Sequence, residues 1–236
     1  MIRKNAGRFS LYMGYFIFSY LTAHTQKNET NGWFVIFNKK KLAQRFNLLT
    51  DIQFRSTEKV EHLATLLLRT AVSYQINKKH SGALGYVYVG DWAEKAGERE
   101  NDFENRIFEQ YMVELKSNKK EFIGRFRLEQ RFTGQRQITQ FSQRSRVMVN
   151  AMLPLANGVT FKKGPYILIQ DEIFVNVQHK QRTNNRFFDQ NRLYGGLGYK
   201  YSSTVKSEFG YMFRRKQNEQ DYINNHIFQI TLSTSF

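Results

Sequence analysis

Polar and apolar residues alternate along the chain in segment after segment from residue 32 onward, with no sustained i, i+3, i+4 repeat. This period of two is typical of β-strands with two different faces. The clearest segment spans residues 122–132, where the apolar positions are Phe122, Gly124, Phe126, Leu128 and Phe132. The opposite parity carries Arg125, Arg127, Glu129 and Arg131. The pattern therefore predicts an all-β protein whose sheet has one apolar and one charged face.

Ten long strands follow from this alternation. They cover residues 46–55, 61–77, 83–93, 104–116, 122–132, 140–154, 165–178, 186–201, 205–214 and 228–236. Strands of roughly 10 to 18 residues exceed the usual five or six and suffice for a tilted membrane crossing. We predict a single antiparallel up-and-down transmembrane β-barrel of about 10 to 12 strands. Counting Trp33–Asn38 would give an odd number, so this segment is assigned as an N-terminal extension, with twelve strands as the alternative.

The aromatic residues indicate which face of the closed sheet meets lipid. On the apolar parity they fall at strand ends, in two groups. One group is Phe46, Tyr74, Phe122, Tyr201 and Phe236, and the other is Phe54, Phe132, Phe141, Phe187 and Phe213. Two aromatic girdles around an apolar band are typical of membrane barrels. We therefore expect the apolar face to point outward and the charged face to line the interior.

Composition restricts the classes of function. The chain has 13 Tyr and 21 Phe but only 2 Pro, which favours strands. It has no run of about 18 apolar residues, which excludes a helical membrane protein. The absence of cysteine excludes thiolate catalysis, disulfides and cysteine metal sites, and fits an oxidising compartment.

Residues 1–25 have the anatomy of a secretory signal peptide. Basic residues near the start precede a compact apolar stretch at 11–23, and the small Ala23 and Thr25 predict cleavage before Gln26. A buried N-terminal helix is the alternative. We expect residues 26–236 to form a barrel that is exported through the periplasm to the outer membrane of a Gram-negative bacterium.

The connections and three acidic residues complete the predicted topology. Short turns at 78–80, 117–120 and 202–204 are assigned to the periplasm, and longer loops at 95–102, 134–139, 179–185 and 217–221 to the exterior. Ten strands would place both chain ends on the periplasmic side. Glu109, Asp171 and Asp189 fall on the lipid parity and contradict the scheme. A rim position would accommodate Glu109 and Asp189, and a β-bulge would accommodate Asp171.

Several short motifs resemble known sequences. The last strand, with Phe228, Ile230, Leu232 and Phe236 on one face, looks like the signal recognised by the outer-membrane barrel-assembly machinery. Most of the chain also resembles an uncharacterised outer-membrane barrel family catalogued as domain of unknown function 2490. The similar motifs are Trp33 with Lys39–Leu42, then residues 129–132 (EQRF), 144–146 (RSR), 171–174 (DEIF), 191–193 (NRL) and 196–199 (GLGY). This resemblance implies a barrel and supplies no catalytic residues.

The interior charges are the main candidate for function. The predicted lumen-lining residues are Arg125, Arg127, Glu129, Arg131, Arg144, Arg146, Glu172, Arg192 and Glu208. We expect ion pairs with Glu114, Glu129, Glu172 and Glu208 to close the narrow interior, which gives a structural or accessory barrel. The alternative is a small anion-favouring, porin-like channel in which the arginines form a basic constriction.

A lipid-modifying enzyme is the second alternative. Such an enzyme needs a histidine beside a nucleophilic serine, but His80 and Ser81 sit together in a tight turn and His62, His179 and His226 have no evident orienting partner. His179 and His226 without a carboxylate make a weak metal site. We therefore predict no enzyme, no catalytic or metal-binding residues and no cofactor.

The formal charge of +16 raises nucleic acid as a partner. Nucleic-acid binding needs an exposed basic face, whereas here the basic residues alternate with apolar ones and the aromatics lie on the opposite face. We predict no nucleic-acid partner. The expected partners are outer-membrane lipid and, during insertion, the barrel-assembly machinery, and the sequence identifies no transported solute.

Overall fold

The computed structural model describes residues 27–95, 98–117, 119–135, 138–155 and 161–236, and this part of the chain is almost entirely β-strand. The strands are β1 Lys27–Lys41, β2 Phe46–Ser56, β3 Leu63–Gln75, β4 His80–Lys95, β5 Glu98–Ser117, β6 Lys120–Gln135, β7 Ile138–Pro154, β8 Gly164–Gln178, β9 Phe188–Lys200, β10 Val205–Gln217 and β11 Tyr222–Ser235. Single 3-10 turns occur at Glu58–Val60 and Lys180–Arg182. No helix in the described ranges is long and apolar enough to cross a membrane. The predicted signal peptide, residues 1–25, lies outside the described residues.

The strands close into one barrel. Each strand pairs antiparallel with its neighbours in sequence, and β1 closes the sheet by pairing in parallel with β11. At this seam Lys27 lies opposite Ile223 and Lys39 opposite Ser235. The predicted all-antiparallel closure is therefore wrong at the seam. Each hairpin reverses the chain direction, so an odd number of strands leaves the first and last strands running the same way.

All ten predicted strands are present, and β1 is an eleventh. The predicted N-terminal extension Trp33–Asn38 is wrong, because these residues form the middle of a 15-residue strand. The strand number falls within the predicted range of about 10 to 12, but the alternative of twelve is wrong, because eleven strands of the described residues already close the barrel. We call the end of the barrel where β1 starts at Lys27 the N rim, and the end that holds Phe236 the C rim. The expectation that both chain ends share one rim is also wrong.

The predicted short turns all lie at the C rim and the predicted longer loops all lie at the N rim, but the lengths of the connections differ from the prediction. Most described residues of the loops predicted at 95–102 and 134–139 belong to the paired strands β4, β5, β6 and β7. Continued pairing satisfies the backbone groups of these charged residues, so the hairpins need not open into loops. The two nine-residue connections, 155–163 and 179–187, lie on opposite rims.

The two faces of the barrel wall have opposite polarity. The inward face carries the odd residues of β1–β4, β6 and β11 and the even residues of β5 and β7–β10. The outward face exposes apolar side chains around the barrel, such as Val72 at 47%, Phe126 at 47% and Leu197 at 64%. The predicted aromatic groups face outward near the two rims, where Phe46 contacts Tyr74 and Phe132 contacts Phe141.

The three acidic residues on the lipid parity have different outcomes. Asp189 points inward, because a register shift between Phe174 and Val175 leaves it as the extra residue of a bulge in β9. Its assignment to the lipid face is therefore wrong. Asp171 and Glu109 do lie on the outer wall, where each accepts a hydrogen bond from a neighbouring amide, Asn191 at 2.6 Å and Gln130 at 3.0 Å. The β-bulge that was expected at Asp171 therefore occurs at Asp189 instead.

The interior also contains apolar clusters, so it is less uniformly polar than predicted. One cluster comprises Trp33, Met152, Tyr166, Leu168, Tyr194, Met212 and Ile227, and the other comprises Leu67, Ala71, Val87, Val89 and Phe108. Buried rings lie directly over inward-facing glycines: Tyr166 covers Gly198, and Phe108 covers Gly85. A side chain at either glycine would collide with the ring.

Candidate functional site

All nine residues predicted to line the lumen face the barrel interior. Seven of them, Arg125, Arg127, Glu129, Arg131, Arg144, Arg146 and Glu172, belong to one connected ion-pair network. Glu208 lies apart near the C rim, where it accepts a hydrogen bond from Tyr166 at 2.7 Å and lies 3.5 Å from the Lys206 ammonium. Glu114, which was predicted as a partner, forms no ion pair among the described residues, because its position in β5 is close to the C rim and away from the arginines.

Glu129 is the centre of this interior ion-pair network. Its side chain is fully buried, and its two oxygens accept hydrogen bonds of 2.6 Å from Arg144 and Arg146, both on the adjacent strand β7. Arg127 and Arg106 lie further out, at 3.8 Å and 4.0 Å. Antiparallel pairing of β6 with β7 places Glu129 directly opposite Arg144, so the local register brings these two side chains together.

The network continues across the lumen through shared arginines. Arg146 also contacts Glu172 on β8 at 2.8 Å, and Glu172 in turn contacts Arg125 at 2.6 Å. Arg144 also contacts Asp189 on β9 at 2.7 Å. A continuous chain of charges therefore joins β6, β7, β8 and β9.

A branch of the network occupies β5. Glu104 binds Arg106 at 2.8 Å and Arg131 at 2.5 Å, and a separate pair joins Asp51 to Arg69 at 2.6 Å. The prediction did not include Asp189, Glu104 or Arg106. The inward parity of β5 was a usable signal for Glu104 and Arg106, but nothing local marks the bulge that turns Asp189 inward.

Two buried aromatic rings support the arginines. Phe174 is fully buried, and the guanidinium carbons of Arg146, Arg192 and Arg144 lie 4.4, 4.6 and 5.1 Å from its centroid. Phe108 supports Arg127 at 4.3 Å. Cations over desolvated rings gain electrostatic stabilisation from the ring quadrupole. These rings, together with the carboxylates, hold the guanidinium groups in place.

A second group of arginines surrounds Trp33. The guanidinium carbons of Arg55, Arg192 and Arg214 lie 4.1, 5.2 and 5.6 Å from its ring centroid. Among the described residues, none of the three has a carboxylate within salt-bridge distance. Only Arg192 was among the predicted lumen residues. The alternation of β2 and β10 did place Arg55 and Arg214 on the polar face, but Trp33 was assigned to an extension outside the barrel.

The interior holds two main cavities. A cavity of about 870 Å³ occupies the N-rim half and reaches the rim at Thr57 and Glu61. A cavity of about 280 Å³ occupies the C-rim half and reaches Lys206 and Ser233. Val35, Arg125, Gln170, Met212 and Gln229 contribute to both. These five residues form a shared layer at which the two cavities adjoin.

The histidines are placed individually and not around a common site. The His80 ring bonds the Tyr111 hydroxyl at 2.6 Å on the outer wall, whereas the adjacent Ser81 is buried on the inward face. His226 bonds Tyr211 at 2.6 Å, and His179 packs against Phe141. No group of three or more histidine, aspartate or glutamate residues in the described ranges is arranged to hold a metal ion.

The residues of the predicted assembly signal lie on the outer wall of the last strand. Phe228, Ile230, Leu232 and Phe236 are 49, 50, 37 and 67% exposed. Backbone hydrogen bonds tie Phe236 to β1 at Lys39 and Lys41. The role of these residues in assembly stays a prediction.

The fold and interior define a class of protein: a closed, eleven-stranded β-barrel with an apolar outer wall and an interior cross-linked by arginine–carboxylate pairs. A family model described as "Protein of unknown function (DUF2490)" matches residues 30–225. The chain belongs to this family, which confirms the family resemblance found in the sequence. No curated protein and no solved structure matches the chain.

Proposed function

We propose that the protein is an integral outer-membrane β-barrel with a closed interior, which serves as a structural or accessory barrel and not as an open pore. The C rim would face the periplasm and the N rim the exterior. The observation that carries this proposal is the inverted polarity of the wall, with buried charges inside and exposed apolar side chains outside.

The outer wall supports a lipid environment. Exposed apolar residues occur on strands all around the barrel, for example Leu68 at 40%, Ile107 at 46% and Phe209 at 58%. Soluble monomers rarely expose contiguous apolar patches larger than a few hundred Å². Aromatic residues near both rims and apolar ones between them match the pattern of barrels that cross an outer membrane.

The interior supports a closed barrel. Glu129, Phe174 and Tyr166 have essentially no exposed surface, and all three point into the lumen. Glu129 and Phe174 occupy the lumen toward the N rim and Tyr166 occupies it near the C rim, so buried side chains narrow both halves of the interior. A conducting pore would need a continuous water-filled path past these side chains.

The membrane location is tested by placing a charge on the outer wall. Val147 lies in the middle of β7 and is 54% exposed. Val147→Arg should lower the free energy of unfolding in lipid by about 2–4 kcal/mol if the residue faces the bilayer, because a midplane arginine carries that cost. In a water-facing wall the change would stay within about 0.5 kcal/mol.

The control is Gln44→Arg in the connection between β1 and β2, where an introduced arginine should change little. Cell fractionation should place the protein in the outer membrane. Recovery in the cytoplasm, or equal effects of the two arginine variants, would contradict the proposed location.

The closed interior is tested separately by reconstitution into planar bilayers. The wild-type protein should give no stepwise conductance. Regular anion-selective steps that are altered by Arg127→Glu or Arg146→Glu would instead support the small anion-favouring channel and reject the closed barrel.

A further inference from the structure

The three arginines around Trp33 have incomplete electrostatic pairing. Arg55 donates to the amide oxygen of Gln53 at 2.6 Å, Arg192 to that of Gln190 at 3.4 Å, and Arg214 to that of Asn225 at 2.9 Å. Each therefore has a neutral partner. By contrast, Arg144 and Arg146 of the interior network each contact two carboxylates.

Most of the carboxylates that attract these arginines pair with other cations, and Asp91 accepts a hydrogen bond from Thr65 at 3.5 Å without lying within salt-bridge distance of any of the three. Asp51 pairs with Arg69 at 2.6 Å, and Glu29 pairs with Lys27 at 2.7 Å. Glu172 pairs with Arg125 and Arg146. Arg192 meanwhile experiences repulsion from both Arg55 and Arg214. The group therefore keeps a positive charge that no ion pair among the described residues neutralises.

These arginines line a cavity that is large enough for a ligand. The N-rim cavity of about 870 Å³ includes all three side chains, and Lys216 lines it as well. Its lining contains eleven arginine and lysine residues against eight aspartate and glutamate residues. Three like charges in one partly buried cavity are costly unless an anion offsets them. The cavity reaches the N rim, so a solute can enter it from outside the barrel.

We propose that this cavity binds a small soluble polyanion that carries phosphate or carboxylate groups, held by Arg55, Arg192 and Arg214. Guanidinium groups present paired donors that match the oxygens of phosphate and carboxylate. A lipid headgroup has the same chemistry, but the three arginines lie inside the barrel, and lipid would contact its outer wall. The proposal needs only the barrel geometry and does not depend on membrane location or on conductance.

The test uses the full-length protein in a non-ionic, phosphate-free detergent and isothermal titration with pyrophosphate. The wild type should bind saturably, beyond any effect of sodium chloride at equal ionic strength. Arg192→Gln or Arg55→Gln should weaken binding about tenfold, which corresponds to the loss of one charge-assisted hydrogen bond. Thermal unfolding adds a second readout: each variant should unfold at the same or a higher temperature without ligand, because repulsion is relieved, yet gain less from pyrophosphate.

Arg214 and Arg215 provide a matched pair, because they are adjacent on β10 and point to opposite faces. Arg214→Gln should weaken pyrophosphate binding, whereas Arg215→Gln should not, since Arg215 stacks on Tyr222 at 3.9 Å on the outer wall. Equal losses in the two variants would overturn the proposal. So would binding to phosphatidylglycerol micelles without binding to free pyrophosphate, or no saturable binding by the wild type.

Discussion

Replacing Glu129 by glutamine tests whether the interior network stabilises the barrel. The substitution keeps the shape of the side chain and removes the charge that Arg144 and Arg146 contact at 2.6 Å. Removing one partner of a buried ion pair typically costs about 3–5 kcal/mol, because the other partner remains buried without its counter-charge. Arg144 keeps Asp189, and Arg146 keeps Glu172. We therefore expect a loss at the lower end of that range, about 3 kcal/mol.

The assay is equilibrium urea unfolding of the purified protein in detergent micelles, followed by tryptophan fluorescence after reversibility has been shown. The midpoint should fall without a change in the denaturant slope, which would indicate that stability and not compactness has changed. Glu109→Gln is the control: Glu109 is exposed on the outer wall, and its only described hydrogen-bond donor is Gln130. Its effect should stay within about 0.5 kcal/mol.

A double variant tests whether the loss of stability in Glu129→Gln arises from the interior ion-pair network. Adding Arg146→Gln to Glu129→Gln removes one of the two cations that lost Glu129 as a partner, so the combined loss should be smaller than the sum of the single losses by about 1 kcal/mol or more. A loss below about 1 kcal/mol for Glu129→Gln alone, or a loss equal to that of Glu109→Gln, would refute the reasoning that Glu129 holds the interior together.

Two further predictions concern the barrel wall. Gly198→Val should lower the free energy of unfolding by about 1–3 kcal/mol, because the new side chain would collide with the Tyr166 ring. Gly195→Val is the control and should cost less in the same urea titration, because a Cβ at this position meets no atom within 4 Å. A larger loss for Gly195→Val than for Gly198→Val would contradict the inward facing of Gly198. The double variant Ile36→Cys/Leu232→Cys should form an intramolecular disulfide on oxidation, because these residues are partners across the parallel seam and the chain has no other cysteine. Gel mobility with and without reductant measures that cross-link, and Ile36→Cys/Phe228→Cys, which is out of register, should form it poorly.

Alternation alone predicted most of the wall and the facing of its side chains. A strand with one apolar and one charged face can be oriented from its own residues, and for this reason the sequence predicts that Arg127, Glu172 and Arg192 face inward. Whether a residue is odd or even in its strand determines if it faces the lumen or the outer wall, but not its position along the barrel axis. The sequence therefore could not show that Glu129 contacts Arg144 while Glu114 contacts no cation among the described residues.

The errors arose where structure depends on partners distant in sequence. The first residues of β1, Lys27–Thr30, are polar and show no alternation, and they become strand only because β11 pairs with them across the seam. Asp189 turns inward because of a register shift between β8 and β9, a property of two strands together. Trp33 was separated from its arginines because β1 was not counted as part of the barrel.

The parallel seam places the start of β1 and the end of β11 at opposite rims of the barrel. Lys27 leaves the sheet at one rim and Phe236 at the other, so a label or fused domain on each end would stand on opposite sides of the barrel. An even-stranded barrel would present both attachments at the same rim. If the barrel spans a membrane as proposed, a membrane-impermeant reagent should reach cysteines introduced at Lys27 and at Ser203 from different sides.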